Sequence, residues 1–311
     1  MGRLLRSVVG LGALCTLAAC ATPDGAGLRE RAAGVPPRAE VAAVPFHPQQ
    51  EQYCGPAALA TVLGWSGLPM GQHAVAAEVF TPGREGSLGH DLIGAARRHG
   101  RLAVPVADLP ALLAEVAAGH PVLVLQNLGL GWYPQWHFAV AVGYDLAKEE
   151  LALRSGEERR RVVSLDTFAR TWARAERWAL VVLPPDRLPA TGDEAAVLSA
   201  AAGLERAGRR AEAGTAYEAV LRRWPGSLGA LIGRGNMRYA AGDLNGAEAA
   251  YRAALEHHPG AAAAWNNLAD VLAAQGARGE ALIAARRAVE LGGAHAEVYR
   301  QTLEQIGGAP A

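Results

Sequence analysis

The sequence lacks the charge excess that a nucleic-acid-binding protein usually has. Its 311 residues include 30 Lys and Arg and 30 Asp and Glu, so the formal net charge is zero, and Lys148 is the only lysine. Nucleic acid is therefore not an expected partner. Half of the residues are apolar, which is enough for a sizeable core, and the length suggests two domains.

Cysteine is equally scarce. The chain has three, at positions 15, 20 and 54. Its histidines are scattered and show no spacing typical of metal ligands, so neither a metal nor another cofactor is expected. With so few thiols, the position of each one is informative.

The N-terminus has an apolar stretch at residues 8–19 that is too short to span a bilayer as a stable helix. It ends in Leu-Ala-Ala-Cys, which resembles the lipobox of bacterial lipoproteins, where the cysteine is lipidated after cleavage. The resemblance implies a lipoprotein signal peptide over residues 1–19 and a lipid anchor on Cys20. Because Ala21 follows rather than Asp, it also implies an outer-membrane lipoprotein facing the periplasm. An ordinary signal peptide or an uncleaved anchor is the alternative.

Loss of the signal peptide and lipidation of Cys20 would leave Cys54 as the one free thiol of the mature chain. An unpaired thiol in an oxidising compartment is open to oxidation, so we expect it to be either buried or part of a reactive site. Residues 20–40 are rich in Pro, Gly and Ala and predict a flexible tether between the lipid and the fold.

Residues 41–185 mix short helical and strand patterns, with most of the helices first and β-branched strands later. This order predicts an α+β domain rather than a wound parallel sheet. The segment 41–46 predicts an entry strand. Helices are predicted at 55–65, 72–80, 87–100 and 109–119, and strands at 102–106, 121–127, 136–145, 150–155 and 178–183.

Residues 190–311 are Ala-rich, helical and periodic. An interval of 34 residues separates matching glycines, tyrosines and prolines, namely Gly208, Gly242 and Gly276, Tyr217 and Tyr251, and Pro225 and Pro259. This is the period of the tetratricopeptide repeat, so an all-α solenoid is predicted, with repeats at about 193–226, 227–260 and 261–294. Its concave face would bind a protein partner; a scaffold that only packs on the first domain is the alternative.

Cys54 lies at the N-terminal turn of the helix predicted at 55–65. Unpaired backbone N–H groups and the helix dipole would favour its thiolate form there. Gly55 would leave room for a substrate backbone beside the sulfur, and Pro56 costs no hydrogen bond in a first turn. The stretch therefore suits an activated nucleophile.

A nucleophilic cysteine needs a base, and the first domain holds six histidines. His137 is the strongest candidate, because it opens the strand 136–145 after a loop rich in glycine and aromatic residues and can face a cleft. His90, in a loop or first helical turn, could line a cleft too. The others are expected in a turn, at the surface or at helix ends, namely His47, His73, His99 and His120.

The segments PQQEQYCGPAAL and WHFAVAVGYD together resemble the bacteriocin-processing (double-glycine leader) cysteine peptidases and their relatives, which have a papain-like fold. The resemblance covers about residues 41–185. It implies that Cys54 is the nucleophile, that His137 is the base and that Gln49 helps to form the oxyanion hole. Gln50 and Gln52 leave the register of this glutamine open.

In that family an Asp or Asn on the next strand completes the site. Here Ser155 stands at the expected position, and Asp145 is the alternative. A serine can accept a hydrogen bond from imidazole, but it does not stabilise imidazolium as a carboxylate does.

The expected function is that of an outer-membrane-anchored periplasmic cysteine peptidase with a papain-like α+β domain and a tetratricopeptide solenoid. It would hydrolyse a protein or peptide substrate without a cofactor, while the repeats recruit the substrate or a partner and Cys20 supplies the membrane contact. A non-catalytic peptide-binding adaptor is one alternative, favoured by Ser155 and by the added repeats. A cell-wall peptide amidase is another.

Overall fold

The computed structural model describes residues 34–308 except 50, 51, 82, 84 and 85. The predicted signal peptide, Cys20 and Gln50 lie outside this part of the chain. No helix within it is long and apolar enough to cross a membrane.

The first domain is built on a seven-stranded antiparallel sheet. Its main path runs β2, β7, β3, β4, β5, β6, and β1 pairs with the far end of β4. The strands are β1 (Arg38–Glu40), β2 (Leu102–Pro105), β3 (Val122–Asn127), β4 (Trp136–Asp145), β5 (Glu150–Ser155), β6 (Glu158–Ser164) and β7 (Ala179–Leu183). Five helices accompany them, namely α1 (Cys54–Trp65), α2 (Gln72–Val79), α3 (Gly89–Arg98), α4 (Leu109–Ala117) and α5 (Leu165–Ala173). The predicted α+β organisation is confirmed.

Helix α1 lies at the centre of the domain. Every residue from Gly55 to Leu63 is buried, and the helix packs against the sheet at β3, β4 and β5. Small alanines along it let the backbone approach the sheet closely. The same burial fixes the position of the first residue of the helix, Cys54.

The predicted tether is corrected at its C-terminal end. Residues 38–40 form β1, which pairs with β4 in the register Arg38↔Asp145, and the Tyr144 hydroxyl donates to the Pro36 carbonyl at 3.0 Å. Beyond the end of β3 the edge of β4 needs a partner, and this polar segment supplies it. The entry strand predicted at 41–46 is wrong, because those residues are irregular, with Val41 and Val44 buried.

Two adjacent elements were not anticipated, namely β6 and α5. Strand β6 begins Glu-Arg-Arg-Arg and carries mostly exposed side chains at the edge of the sheet, so it lacks the alternation that marks a half-buried strand. Helix α5 follows it directly, with the Ser164 side chain accepting from the Thr167 N–H at its N-terminus.

The second domain is the predicted run of helix pairs. Its helices are α6 (Glu194–Arg206), α7 (Arg210–Arg223), α8 (Leu228–Ala240), α9 (Leu244–His257), α10 (Ala262–Ala274), α11 (Arg278–Leu291) and α12 (Ala296–Gly308). The periodic glycines Gly208, Gly242 and Gly276 all have φ between 76° and 80°, a left-handed conformation that glycine adopts without strain. The pair α6–α7, the pair α8–α9 and the pair α10–α11 occupy the three predicted repeats, and α12 is an additional terminal helix.

The periodic tyrosines pack against glycines of the following or preceding helix. A Cβ at Gly233 would lie 2.4 Å from the Tyr217 ring, and one at Gly235 would lie 2.4 Å from the Tyr251 ring. Any larger residue at either position would separate the helices, so these contacts require glycine there.

A buried carboxylate holds the segment that joins the two domains. Glu115 of α4 is fully buried and accepts hydrogen bonds from the backbone N–H groups of Ala190 and Thr191, at 3.1 and 2.8 Å, and from the Thr191 hydroxyl. The His120 ring is 2.7 Å away. Burial opposes ionisation, but the hydrogen bonds from His120, Thr191 and Ala190 outweigh it and hold the pKa of Glu115 below its usual range. The linker is thereby fixed, and α6 packs on β2.

We expect Glu115→Gln to lower the free energy of unfolding by about 2 kcal/mol at neutral pH, because donors of the linker would face an amide N–H₂ group. The ionised carboxylate stabilises the fold fully above its unfolded pKa, and this contribution is lost as the pH falls through the lower folded value. The difference between wild type and variant should therefore shrink in acid. Urea unfolding at neutral and at acidic pH measures this difference in the free energy of unfolding, with the exposed Glu256→Gln as control. A difference that does not change with pH would contradict this account.

Candidate active site

A cleft of about 1000 Å³ opens between the start of α1, the start of β4 and the turn after α5. Three of the predicted site residues, Gln49, Cys54 and His137, line it together. Apolar side chains cover much of the remaining wall, namely Leu88, Leu125, Trp136, Phe138 and Trp178. The fold therefore brings a thiol and an imidazole, distant in sequence, into one concave site.

Cys54 is the first residue of α1, as predicted, and its thiol is free. Tyr53 precedes the helix without a side-chain cap, and Gln52 adopts a left-handed φ of 67° in the turn before it. The role expected of Gly55 is corrected, since a Cβ there would lie 2.8 Å from the Cβ of Ser87. Gly55 thus serves the packing of a cleft wall against the helix and does not hold open a space for substrate.

His137 is the second residue of β4, where it pairs with Gln126 of β3. Its Nε2 atom lies 2.8 Å from the Ser155 hydroxyl oxygen. Ser155 is buried at the end of β5, so the predicted third member is in contact with the predicted base. When Nε2–H donates to Ser155, Nδ1 keeps the lone pair that a general base needs.

The electrostatics of the site favour neutral groups. Burial raises the pKa of the Cys54 thiol above its usual value, although backbone hydrogen bonds from Phe138, Gly55 and Cys54 itself act in the opposite direction. Burial, with the charge of Arg161 adding to it, lowers the pKa of His137 to about 4. At neutral pH the site therefore holds a thiol and an uncharged imidazole. The helix terminus alone is expected to favour the thiolate, but the cost of burying the charge is larger than that effect.

Gln49 is bound to β4 and to the turn that follows β5, next to both members of the His137–Ser155 pair. Its side-chain Nε2 donates to the Phe138 carbonyl at 3.3 Å, and its Oε1 accepts from the Gly156 N–H at 2.9 Å. Its own backbone N–H donates to the Gly156 carbonyl at 3.0 Å. Since Phe138 follows His137 and Gly156 follows Ser155, Gln49 holds the neighbours of both residues in place. One amide hydrogen is left for another acceptor.

The other histidines lie away from this pair. His99 is the C-cap of α3 and contacts Glu78 at 2.8 Å, as a helix-end residue should. His120 was expected to be a capping or solvated residue, but it is buried against Glu115. His90 is exposed in the first turn of α3 beside Asp91 and is not among the cleft residues.

The last two histidines and the alternative third member fall outside the site as well. His73 is exposed in the first turn of α2, and His47 is half-buried in an irregular segment, where burial lowers its pKa. Asp145 lies at the opposite end of β4 from His137 and accepts from the N–H groups of Ala147 and Lys148. It therefore belongs to a turn.

Several residues that shape the site were not anticipated. The positive charge of Arg161 in β6 adds to the lowering of the pKa of His137. The run of arginines at 159–161 is the sequence feature that could have indicated this effect. Trp178 lies against Gly89, where a Cβ would come within 2.7 Å of its indole, and both line the cleft. The Ser87 hydroxyl is buried and has no hydrogen-bond partner among the described residues. The residue itself is part of the cleft wall.

Two family profiles match the chain. Residues 41–179 match the Peptidase_C39 like family, and residues 198–252 and 233–296 match the tetratricopeptide repeat. The chain therefore contains a Peptidase_C39-like domain followed by tetratricopeptide repeats. No curated protein matches it significantly.

Solved structures resemble each domain separately. A Bacillus anthracis protein assigned as a C39-like peptidase is 19% identical, with 47% of this chain and 97% of that chain covered and a TM-score of 0.41. The Yersinia enterocolitica secretion chaperone SycD with a peptide of the translocator YopD is 20% identical, with 36% and 89% covered and a TM-score of 0.34. The first repeat domain of Spaghetti (RPAP3) bound to an HSP90 peptide is 17% identical, with 37% and 90% covered and a TM-score of 0.35.

The pairing of Ser155 with His137 generates a test with isosteric variants. In Ser155→Asp a carboxylate would face the imidazole and raise the pKa of His137, which favours an imidazolium–thiolate pair. We expect the rate of Cys54 alkylation by iodoacetamide at neutral pH to rise, by about tenfold for each pKa unit by which the carboxylate favours the ion pair. Ser155→Asn has the same size without the charge and should show no such rise. Equal rates in the two variants would contradict the electrostatic account.

The bonds of Gln49 generate a second test that needs no substrate. Gln49→Ala should loosen the Ser155–Glu158 turn, raising its amide hydrogen exchange by about tenfold, and should change the pH profile of Cys54 alkylation. A glutamine that acts only on a substrate oxyanion would leave both measurements unchanged. Gln52→Ala, which removes another cleft amide outside these contacts, is the matched control.

Proposed function

We propose that this chain is a cysteine peptidase that hydrolyses peptide bonds with Cys54 as nucleophile and His137 as general base. The observation that carries the proposal is the placement of Cys54 at a helix N-terminus in the same cleft as His137, whose imidazole contacts Ser155 at 2.8 Å. Acyl transfer by this route needs a nucleophile, a base and a group that orients the base, and the cleft offers a residue for each role.

In the proposed mechanism the proton moves as the bond forms. The Cys54 sulfur attacks the substrate carbonyl while its proton passes to Nδ1 of His137. The resulting imidazolium donates that proton to the leaving amine as the C–N bond breaks, which leaves a thioester on Cys54. Water then attacks the thioester with His137 as base, and the carboxylic acid and the free thiol are released.

The oxyanion would be stabilised by the Cys54 backbone N–H and by the remaining amide hydrogen of Gln49. Such a donor contributes about 3 kcal/mol to lowering a barrier of this kind. Gln52 also lines the cleft and is the second candidate donor. Ser155 orients the imidazole but supplies no negative charge, so the imidazolium formed during the reaction is less stabilised than it would be beside a carboxylate.

The proposal includes a location and a partner. The lipobox-like sequence ending at Cys20 supports an outer-membrane lipoprotein facing the periplasm. The repeats support recruitment of a protein substrate or partner, because solenoids of this kind present a concave surface to polypeptides.

The second candidate is a non-catalytic peptide-binding adaptor that uses the same cleft. Three observations favour it, namely the raised pKa of Cys54, the lowered pKa of His137 and the serine at position 155. Each of these three features disfavours the ionised Cys54 nucleophile, but none of them changes the shape of the cleft. An adaptor would bind peptide equally well after Cys54→Ser, and no peptide bond would be cleaved.

The pH dependence of hydrolysis tests the catalytic proposal. Because His137 must be uncharged to accept a proton and its pKa is about 4, kcat/KM should rise with pH through about 4 and not through the usual range of histidine, near 6.5. Hydrolysis of an unfolded model protein, followed across pH by release of new amino termini, gives this profile.

Cys54→Ser and His137→Ala should each abolish this activity with folding intact. His90→Ala removes an exposed histidine outside the cleft and should leave it unchanged. Turnover that survives His137→Ala would remove the assigned base, and peptide binding without any turnover would establish the adaptor.

A further inference from the structure

The segment between β3 and β4, together with Trp136 at the start of β4, continues the two strands as a small hairpin, residues 128–136. Leu128 N–H donates to the Gln135 carbonyl at 2.8 Å, and Leu130 and Tyr133 form an isolated antiparallel bridge. Two residues, Gly131 and Trp132, close the turn. This hairpin points outward from the end of β4 that carries His137.

The hairpin is preformed. At its base the buried Asn127 side chain accepts from the N–H groups of Gly129 and Gln135, at 3.0 and 2.9 Å. Arg174 donates to the Asn127 carbonyl at 2.9 Å. A Cβ at Gly129 would lie 2.3 Å from the Tyr133 carbonyl, so the two arms are in close contact. Binding to such a segment costs little conformational entropy.

Despite this order, the hairpin exposes large apolar side chains. Trp132 is 82% exposed, Tyr133 63%, Leu130 58% and Trp136 55%. None of the nine residues carries a formal charge. Exposed aromatic groups on a rigid support are typical of the residues that contribute most to binding a polypeptide.

The hairpin is continuous with the cleft. Trp136 is exposed on the hairpin and also lines the cleft, and it directly precedes His137. Inside the cleft the apolar surface continues over Phe138, Leu125 and Trp178. An apolar surface therefore extends from these cleft walls to the hairpin tip, while Arg174 and Glu176 also line the cleft.

We propose that hairpin 128–136 is the docking surface for the substrate polypeptide and selects apolar side chains on the C-terminal side of the cleaved bond. This inference rests on the proposed peptidase function. His137 must protonate the leaving amine, so the hairpin that extends its strand lies on the leaving-group side. Tyr133 lies four residues before His137, so an extended chain at about 3.3 Å per residue covers about 13 Å between them. An extended substrate advances equally, so its apolar side chain lies about three or four residues beyond the cleaved bond.

The test compares the full chain carrying Cys20→Ser, which removes the predicted lipidation site, with the same chain carrying Trp132→Ala and Tyr133→Ala. Ile283→Ala, at a 67% exposed apolar residue of α11, is the matched control. Each is incubated with a synthetic library of unstructured peptides, and the cleavage sites are identified by mass spectrometry. Because the substituted side chains are exposed, unchanged thermal unfolding serves as the check on folding.

The parent chain should prefer apolar residues three or four positions after the cut. The double variant should lose that preference, with kcat/KM about 30-fold lower for those peptides and within about twofold for the others. The control should behave as the parent. An unchanged cleavage profile in the double variant would overturn the inference.

If the parent chain cleaves nothing, the proposed hydrolysis fails, and peptide binding decides the inference separately. Binding of the same library that requires Trp132 and Tyr133 would support the docking surface, whereas absent or unaffected binding would overturn it. It would also be overturned if the double variant lost only binding to phospholipid vesicles, or only self-association, since the occupant would then be a membrane or a second copy of the chain.

Discussion

The site depends on a gap in the backbone pairing between β4 and β5, near His137. On one side β4 pairs with β3 through residues 136–141 and then with β1. On the other side its pairing with β5 begins only at Val140, so Phe138 has backbone groups without a strand partner there. Gln49 takes the Phe138 carbonyl at 3.3 Å, and Cys54 lies close enough for Phe138 to act on its pKa. A gap in a sheet ladder has to be filled by other groups, and here they are the groups of the site.

The burial that holds these groups also sets their protonation. A well-packed helix and a buried strand end position Cys54 and His137, but the low dielectric around them raises the pKa of one and lowers the pKa of the other. Without a carboxylate at the position of Ser155, nothing in the described residues next to the imidazole offsets this cost with a negative charge. The same packing therefore gives a preorganised pair and limits its resting reactivity.

The two domains are joined by more than chain continuity. Glu115 binds the linker at Ala190 and Thr191, and α6 of the first repeat packs on β2 of the sheet. The repeats thus have a fixed base on the cleft-bearing domain. The hairpin at 128–136 carries the exposed apolar surface next to His137 on which the proposed docking of substrate depends.

The sequence alone determined the 34-residue solenoid, the start of a helix at Cys54 and the strand opened by His137, because these patterns are local. Only the tertiary structure decided that Ser155 contacts His137, that Gln49 binds the residues following both of them, and that Asp145 lies at the opposite end of β4. Those contacts depend on strand register, which shifts irregularly between Ala141 and Gly143 and between Leu153 and Ser155. They also depend on segments such as β1 and β6, whose exposed polar residues look like linker or loop. The local periodicity of the sequence does not predict such long-range pairing, because the pairing is set by which edges of the sheet are still without a partner.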